Sequence, residues 1–272
     1  MKSIRSIFQS NVPSPDSGSL IRRDGFTVFA APGTEMPEGF PENIAREKVL
    51  KESGSVAAYL CGGGKYFCKI YKFRNFLHSL KRTFRTPRAF RCFAGAQLLA
   101  EYGFQTPKPI GAAVRYRGSV PLYQILLTES LPENTVYPGN EFKQAGFDEA
   151  ENMLCALAAF AAKLHQAGFI HGDMSLRNFY FIPEKNTFGV IDLDGISIYP
   201  AGVPAKAAAR EVARLLASAY RSTALKDFSR QKWLELVLQS YRETGGVPLP
   251  FKPLCRTIDR LQQHRDHPVW KG

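Results

Sequence analysis

Residues 165 to 192 constrain this chain more than any other stretch. They open His-Gln-Ala-Gly-Phe-Ile-His-Gly-Asp-Met-Ser-Leu-Arg-Asn, pass through a short apolar–turn–apolar stretch, and end Val-Ile-Asp. An acid, Asp173, stands five residues before an amide, Asn178, and nineteen before a second acid, Asp192. Each of these residues alone suits a turn, where short polar side chains bond to their own backbone. The ordered set suggests more. One carboxylate can orient and deprotonate a hydroxyl, while an amide and a second carboxylate hold a divalent cation against phosphates.

The flanking sequence supports this grouping. Asp148 to Gln166 predicts a helix, with Asp-Glu-Ala-Glu at the positive end of its dipole. Met153, Leu154, Leu157, Phe160, Ala161 and Leu164 recur at helical spacing. Gly168 suits the C-terminal cap. Phe179–Ile182 and Phe188–Ile191 predict two short strands around Pro183-Glu184-Lys185-Asn186, which brings Asp192 back beside Asn178. The pattern H-x-D-x-x-x-x-N, followed by a strand ending in Asp, is the catalytic-loop and metal-loop signature of kinase-like folds.

Bulk composition narrows the class. With 272 residues, 44% hydrophobic and 22% charged, the chain can bury a core and form one or two domains. No run of about 18 apolar residues predicts a transmembrane span, and Met1 to Asn11 lacks the apolar core of a secretion signal. Cysteines 61, 68, 92, 155 and 255 form no C-x-x-C pair and read as thiols of a reducing cytoplasm. The net charge of +12 points to an anionic partner. Nucleic acid is not expected, because no nucleic-acid-binding signature accompanies the charge.

Residues 1 to 40, rich in Pro, Gly and Ser, predict an irregular extension with one strand at Phe26 to Ala30. Residues 41–132 predict a β-rich lobe with strands at Lys48–Lys51, Ser55–Leu60, Tyr66–Tyr71 and Leu122–Thr128. Residues 133–272 predict a mainly helical lobe, with further helices at Ala205–Tyr220 and Gln231–Tyr241. The expected class is α+β: a bilobal, protein-kinase-like fold with a small antiparallel β-rich N-lobe.

On the nucleotide side, Lys69 sits among apolar neighbours in a strand, where kinases place the lysine that pairs with the ATP phosphates. The turn Ser53-Gly54-Ser55 can offer backbone N–H groups to phosphate, and Glu129-Ser130-Leu131 is the candidate adenine-binding hinge. Kinases usually hold that lysine with a glutamate on the following helix. Here no acid occurs from 66 to 100; Gln97 or Glu101 is left as a substitute. Between Lys65 and Arg91 stand nine cations and no anion. Phe73, Phe76, Leu77, Leu80 and Phe84 form one helical face of segment 72–91, and cations form the other, so the segment suits either an anionic membrane surface or a core-packed helix.

These residues together resemble the lipopolysaccharide inner-core kinases, the Kdo and heptose kinases, over about residues 48 to 220. The resemblance rests on Lys69 in Phe-Cys-Lys-Ile-Tyr, the Arg-rich segment 81–91, Leu99 to Pro107, Leu127-Thr-Glu-Ser130, Leu164 to Asp173 with Asn178, and Ile191-Asp-Leu-Asp194. It implies ATP and Mg²⁺ as cofactors and a sugar hydroxyl of the lipopolysaccharide core, or another lipid-linked sugar, as acceptor. It also implies peripheral work at the cytoplasmic face of the inner membrane. Asp173 then positions and deprotonates the hydroxyl. Asn178 and Asp192 hold the metal, with Asp194 as the alternative to Asp192. Lys69 steadies the phosphates. Arg177 either neutralises the moving phosphoryl group or makes a structural ion pair. His171 supports the loop, and His165 packs at the helix end. Three rivals stand beside this reading: a small-molecule phosphotransferase of the aminoglycoside or choline kinase type, a pseudokinase at the membrane, and a protein kinase.

Overall fold

The computed structural model describes residues 19–72, 86–142, 144–220 and 230–266. The chain divides into two compact units, Met1–Pro132 and Glu133–Gly272.

The first unit is built on one antiparallel sheet of seven strands: β1 (Ser19–Arg23), β2 (Phe26–Ala30), β3 (Lys48–Glu52), β4 (Val56–Cys61), β5 (Tyr66–Lys72), β6 (Pro109–Arg117) and β7 (Val120–Glu129). Their order is β1-β2-β6-β7-β5-β4-β3. Alternation along the strands sends Phe26, Val28, Cys68, Ile70, Ile125 and Leu127 to one face, where they form a buried cluster with Tyr59 and Ile110. Helix α1 (Arg88–Glu101) buries Ala89, Phe90, Cys92, Phe93, Ala96 and Leu99, and it packs on β6 and β7.

Within the stretch 1–40, expected to be irregular apart from one strand at Phe26–Ala30, that strand is β2, and β1 is an unexpected strand before it. β1 and β2 form a hairpin that joins the sheet against β6. Its loop is Asp24-Gly25, both at positive φ (51° and 76°), and Asp-Gly is favoured in two-residue hairpin turns for that reason. β6 had no counterpart in the expected elements. Most of the expected amphipathic segment 72–91, residues 73–85, lies outside the described residues.

The second unit holds α2 (Pro138–Glu141), α3 (Phe147–Gln166), β8 (Phe169–Ile170), β9 (Phe179–Ile182), β10 (Thr187–Val190), β11 (Ser197–Ile198), α4 (Ala205–Ala219), α5 (Arg230–Glu243) and α6 (Phe251–Asp266). α3 packs against α5, and α4 against α6. Leu154, Leu157, Ala161 and Leu164 of α3 are fully buried, as are Trp233, Val237 and Tyr241 of α5. Phe160 meets Phe179 edge-on at 5.8 Å, which fixes the hairpin β9–β10 to α3. No helix among the described residues is long and apolar enough to cross a membrane.

Candidate active site

The loop from His171 to Asn178 is anchored at both ends by backbone pairing. Upstream, Gly168 closes α3, donating its N–H to His165 O at 3.0 Å with φ +85°. A Cβ there would stand 2.8 Å from Tyr199 O, so glycine is required on both counts. β8 then pairs with β11. Downstream, β9 and β10 form the expected hairpin, with Asn186 in the left-handed region at its turn (φ 45°). Ile191 N–H donates to Asn178 O at 2.9 Å. Asp192 is therefore the next residue along from the one that faces Asn178.

His171 locks these pieces together. Its Nδ1 accepts the Asp173 N–H at 3.3 Å, and its Nε2 contacts Ile191 O at 2.9 Å. A carbonyl can only accept, so Nε2 carries the proton. Gly172 (φ +89°) lies against Gly195, and a Cβ on Gly172 would meet Gly195 O at 2.4 Å. The loop and the Asp192-Leu-Asp-Gly turn thus touch backbone to backbone.

Asp173 is bonded on both carboxylate oxygens. Arg214 Nη1 donates to Oδ1 at 2.6 Å and to Gly172 O at 3.3 Å. Arg177 Nη2 donates to Oδ2 at 3.0 Å, and Asn178 Nδ2 donates to Asp173 O at 2.7 Å and to Oδ2 at 3.2 Å. Partial burial of the carboxyl pushes its pKa upward, but the two guanidinium groups together outweigh that and hold it below the usual carboxylate range. The Asn178 amide nitrogen is thus committed to Asp173. Its Oδ1 accepts no bond among the described residues and remains a hard oxygen donor of the kind Mg²⁺ takes.

Asp192 has φ 62° and ψ 58°, a left-handed conformation that a non-glycine residue adopts at some cost. Its side chain is exposed, whereas Leu193 beside it is buried and Asp194 is partly exposed. Among the described residues, no group of three or more His, Cys, Asp or Glu could hold a metal ion. Asn178 Oδ1 with the carboxylate of Asp192 or Asp194 could supply the one or two protein oxygens that Mg²⁺ takes when phosphates and water complete its shell.

Two residues of α4 complete the site, and the sequence reading missed both. Glu211 is buried. Its Oε2 accepts His171 N–H at 2.8 Å, and its Oε1 accepts Gly172 N–H at 2.5 Å. His165, itself buried, reaches the same Oε2 with Nε2 at 3.3 Å and places Nδ1 2.7 Å from Tyr241 Oη. Arg214 lies one helical turn beyond Glu211, on the same face. A signal was available: Glu211 falls on the apolar stripe with Ala208, Val212 and Leu215, and a carboxylate on a buried stripe needs partners.

The remaining expected site residues lie in the first unit. Lys69 is on β5, opposite Ala58 and Leu126. Ser53-Gly54-Ser55 is the β3–β4 turn, in which Ser53 spends both its N–H and its hydroxyl on Val56 O. The N–H groups of Gly54 and Ser55 have no partner among the described residues. At the other end of β5, Ser130 N–H is taken by Lys65 O and Glu129 N–H by Lys108 O, both at 2.9 Å. Leu131 N–H has no partner among the described residues, so any hinge contact through an amide falls to it.

The family model described as "Lipopolysaccharide kinase (Kdo/WaaP) family" matches residues 47–241. No curated protein matches the sequence. Among solved structures, WaaP in complex with acyl carrier protein is similar to this chain, with TM-score 0.55 and 17% identity, covering 82% of this chain and 88% of that one. The bifunctional kinase-methyltransferase WbdD gives TM-score 0.48 at 14% identity, covering 81% and 52%. A glucosamine kinase gives 0.45 at 14%, covering 88% and 68%. The fold is protein-kinase-like.

Proposed function

Since the chain belongs to the lipopolysaccharide kinase (Kdo/WaaP) family and is a kinase, we propose that it transfers the γ-phosphoryl group of ATP to a hydroxyl of the lipopolysaccharide inner core, on heptose or Kdo. The observation that supports this best is the carboxylate of Asp173, held by Arg214 and Arg177 beside Asn178. Such a carboxylate is a weak base in the ground state. That suits a loose transition state, in which the hydroxyl becomes acidic only as its bond to phosphorus forms. Asp173 orients the hydroxyl and receives its proton late. Arg177, exposed on the loop, is available to the transferring group.

Asn178 Oδ1 and Asp192 would hold Mg²⁺, which screens phosphate charge when bound. Lys69, the Ser53–Ser55 turn and the hinge at Glu129–Leu131 would hold ATP in an N-lobe, residues 41–132; residues 133–272 would form the C-lobe. The charge of +12 favours an anionic, lipid-linked acceptor and a peripheral place on the cytoplasmic face of the inner membrane.

The test is transfer of label from γ-³²P-ATP to purified core lipopolysaccharide, with small aminoglycosides as the competing acceptor. Labelled core that vanishes in a folded Asp173→Ala variant supports the reading. Labelled aminoglycoside with unlabelled core overturns it.

A further inference from the structure

Behind the loop that carries Asp173, buried polar side chains link α4 to α3 and then to the C-terminal end of α5. Glu211 of α4 holds the N–H groups of His171 and Gly172, and His165 of α3 reaches its Oε2 at 3.3 Å. On its other side, His165 places Nδ1 2.7 Å from the hydroxyl of Tyr241 on α5. The two rings meet edge-on, with centroids 5.7 Å apart. His165, Glu211 and Tyr241 are all buried.

The proton positions follow from what each group can donate. Glu211 accepts backbone N–H groups on both oxygens, so it is the acceptor toward His165 as well, and Nε2 carries the proton. Val247 N–H donates to the Tyr241 oxygen. The hydroxyl's own hydrogen is then left for Nδ1, the unprotonated nitrogen of the imidazole. Hydrogen bonds thus run one way, from Val247 through Tyr241 and His165 to Glu211.

Main chain fixes the outer end. Gly246 N–H donates to Tyr241 O at 2.9 Å, and the Tyr241 ring leaves no room for a Cβ on Gly246. Gln166, the neighbour of His165, donates Nε2 to Thr244 O at 2.8 Å. The turn after α5 is therefore held against both the tyrosine and the end of α3.

From this chain we infer that Tyr241 is a positioning residue for the catalytic loop. Its hydroxyl orients the His165 imidazole, and the imidazole steadies the carboxylate on which the loop's two amides rest. In a buried site an unpaired Nδ1 has no water to turn to, so the hydroxyl is what fixes the ring's rotation. Tyr241 is fully buried and meets no substrate; it changes how closely Asp173 is held to its working geometry. That matters to turnover only if Asp173 acts on the acceptor hydroxyl, the role proposed for it.

The chain can be read without turnover. In protein carrying ¹⁵N in its histidine rings and backbone amides, His165 is assigned by its loss in His165→Gln. The wild type should show the Nε2–H tautomer with a hydrogen-bonded Nδ1. Tyr241→Phe should move the Nδ1 resonance toward that of an unbonded imidazole nitrogen and shift the amides of His171 and Gly172. A wild-type Nδ1–H tautomer, or loop amides that ignore Tyr241→Phe, overturns the inference.

Steady-state kinetics then read the consequence. Tyr241→Phe should lower kcat about two- to tenfold, the weight of one neutral hydrogen bond, and leave KM for ATP and acceptor in place. The amide of His165→Gln can reach Glu211 but has no atom at the Nδ1 position, so in that background Tyr241→Phe should cost no further kcat. An independent folding defect would cost the same in both backgrounds, and that result overturns the inference, as does an unchanged kcat in Tyr241→Phe alone. Normal turnover by Asp173→Ala removes the loop's catalytic role and that of Tyr241 with it, while the ring resonances still report the chain.

Discussion

Replacing Glu211 tests the site's architecture most directly. Its carboxylate accepts two backbone N–H groups, from His171 and Gly172, at 2.8 and 2.5 Å. In Glu211→Ala both donors lose their acceptor, His171 at a buried position and Gly172 at an exposed one that water can reach. An orphaned buried donor costs about 1–3 kcal/mol and a lost hydrogen bond at an exposed one about 0.5–1.5 kcal/mol, so the pair costs about 1.5–4.5 kcal/mol. Removing a buried charge also removes its desolvation penalty, which places the net loss in the lower half of that range. Taking about 2 kcal/mol, and about 2–4 °C per kcal/mol for a protein of this size, Tm should fall by about 4–8 °C. Glu211→Gln keeps one acceptor but turns an NH₂ toward the other N–H, so it should fall between alanine and wild type. Because the released loop carries Asp173, kcat should drop more than KM rises. Calorimetry with urea unfolding gives the stability, and label transfer gives kcat. An alanine variant that melts within about 1 °C of wild type and turns over normally would show that α4 does not hold the loop.

Asp192→Ala should abolish the Mg²⁺-dependent part of ATP binding, measured by titration calorimetry with and without EDTA; unchanged affinity for Mg-ATP would exclude Asp192 as a ligand. Arg214→Gln should move the acid limb of kcat/KM to higher pH. The two arginines keep Asp173 ionised below the usual carboxylate range, activity is lost as pH falls through its folded pKa, and removing one guanidinium raises that pKa. A limb that stays in place would separate the arginine from the proton acceptor. Gly172→Ala should inactivate the enzyme, because the new methyl meets Gly195 O at 2.4 Å at a φ of +89°. Gly63→Ala, also at positive φ (66°) but with nothing within 4 Å, should cost stability of about 1–2 kcal/mol and little activity.

Three of the expected site residues stand near one another because they lie within a single hairpin's reach. Asp173, Asn178 and Asp192 are joined by β9 and β10, whose register follows from the alternation of apolar residues and a four-residue turn. Glu211 and Arg214 were hidden because they reach the loop through tertiary packing, and nothing in their local sequence states which loop α4 will face. β1, the partner of the expected strand β2, was missed for a different reason: the composition of residues 1–40 outweighed the Asp24-Gly25 turn between two alternating runs. β6 carries only small and branched residues at its centre, Gly111-Ala-Ala-Val114, and its identity as a strand comes from β2 and β7 on either side.

Glu211 grips atoms common to nearly every amino acid, the amide hydrogens of His171 and Gly172, which stand 40 and 39 positions before it. The information for the loop's shape is therefore stored far downstream of the loop. Transplanting residues 171–178 into another scaffold would carry the chemical groups and leave their template behind, and the donor helix would have to travel with them.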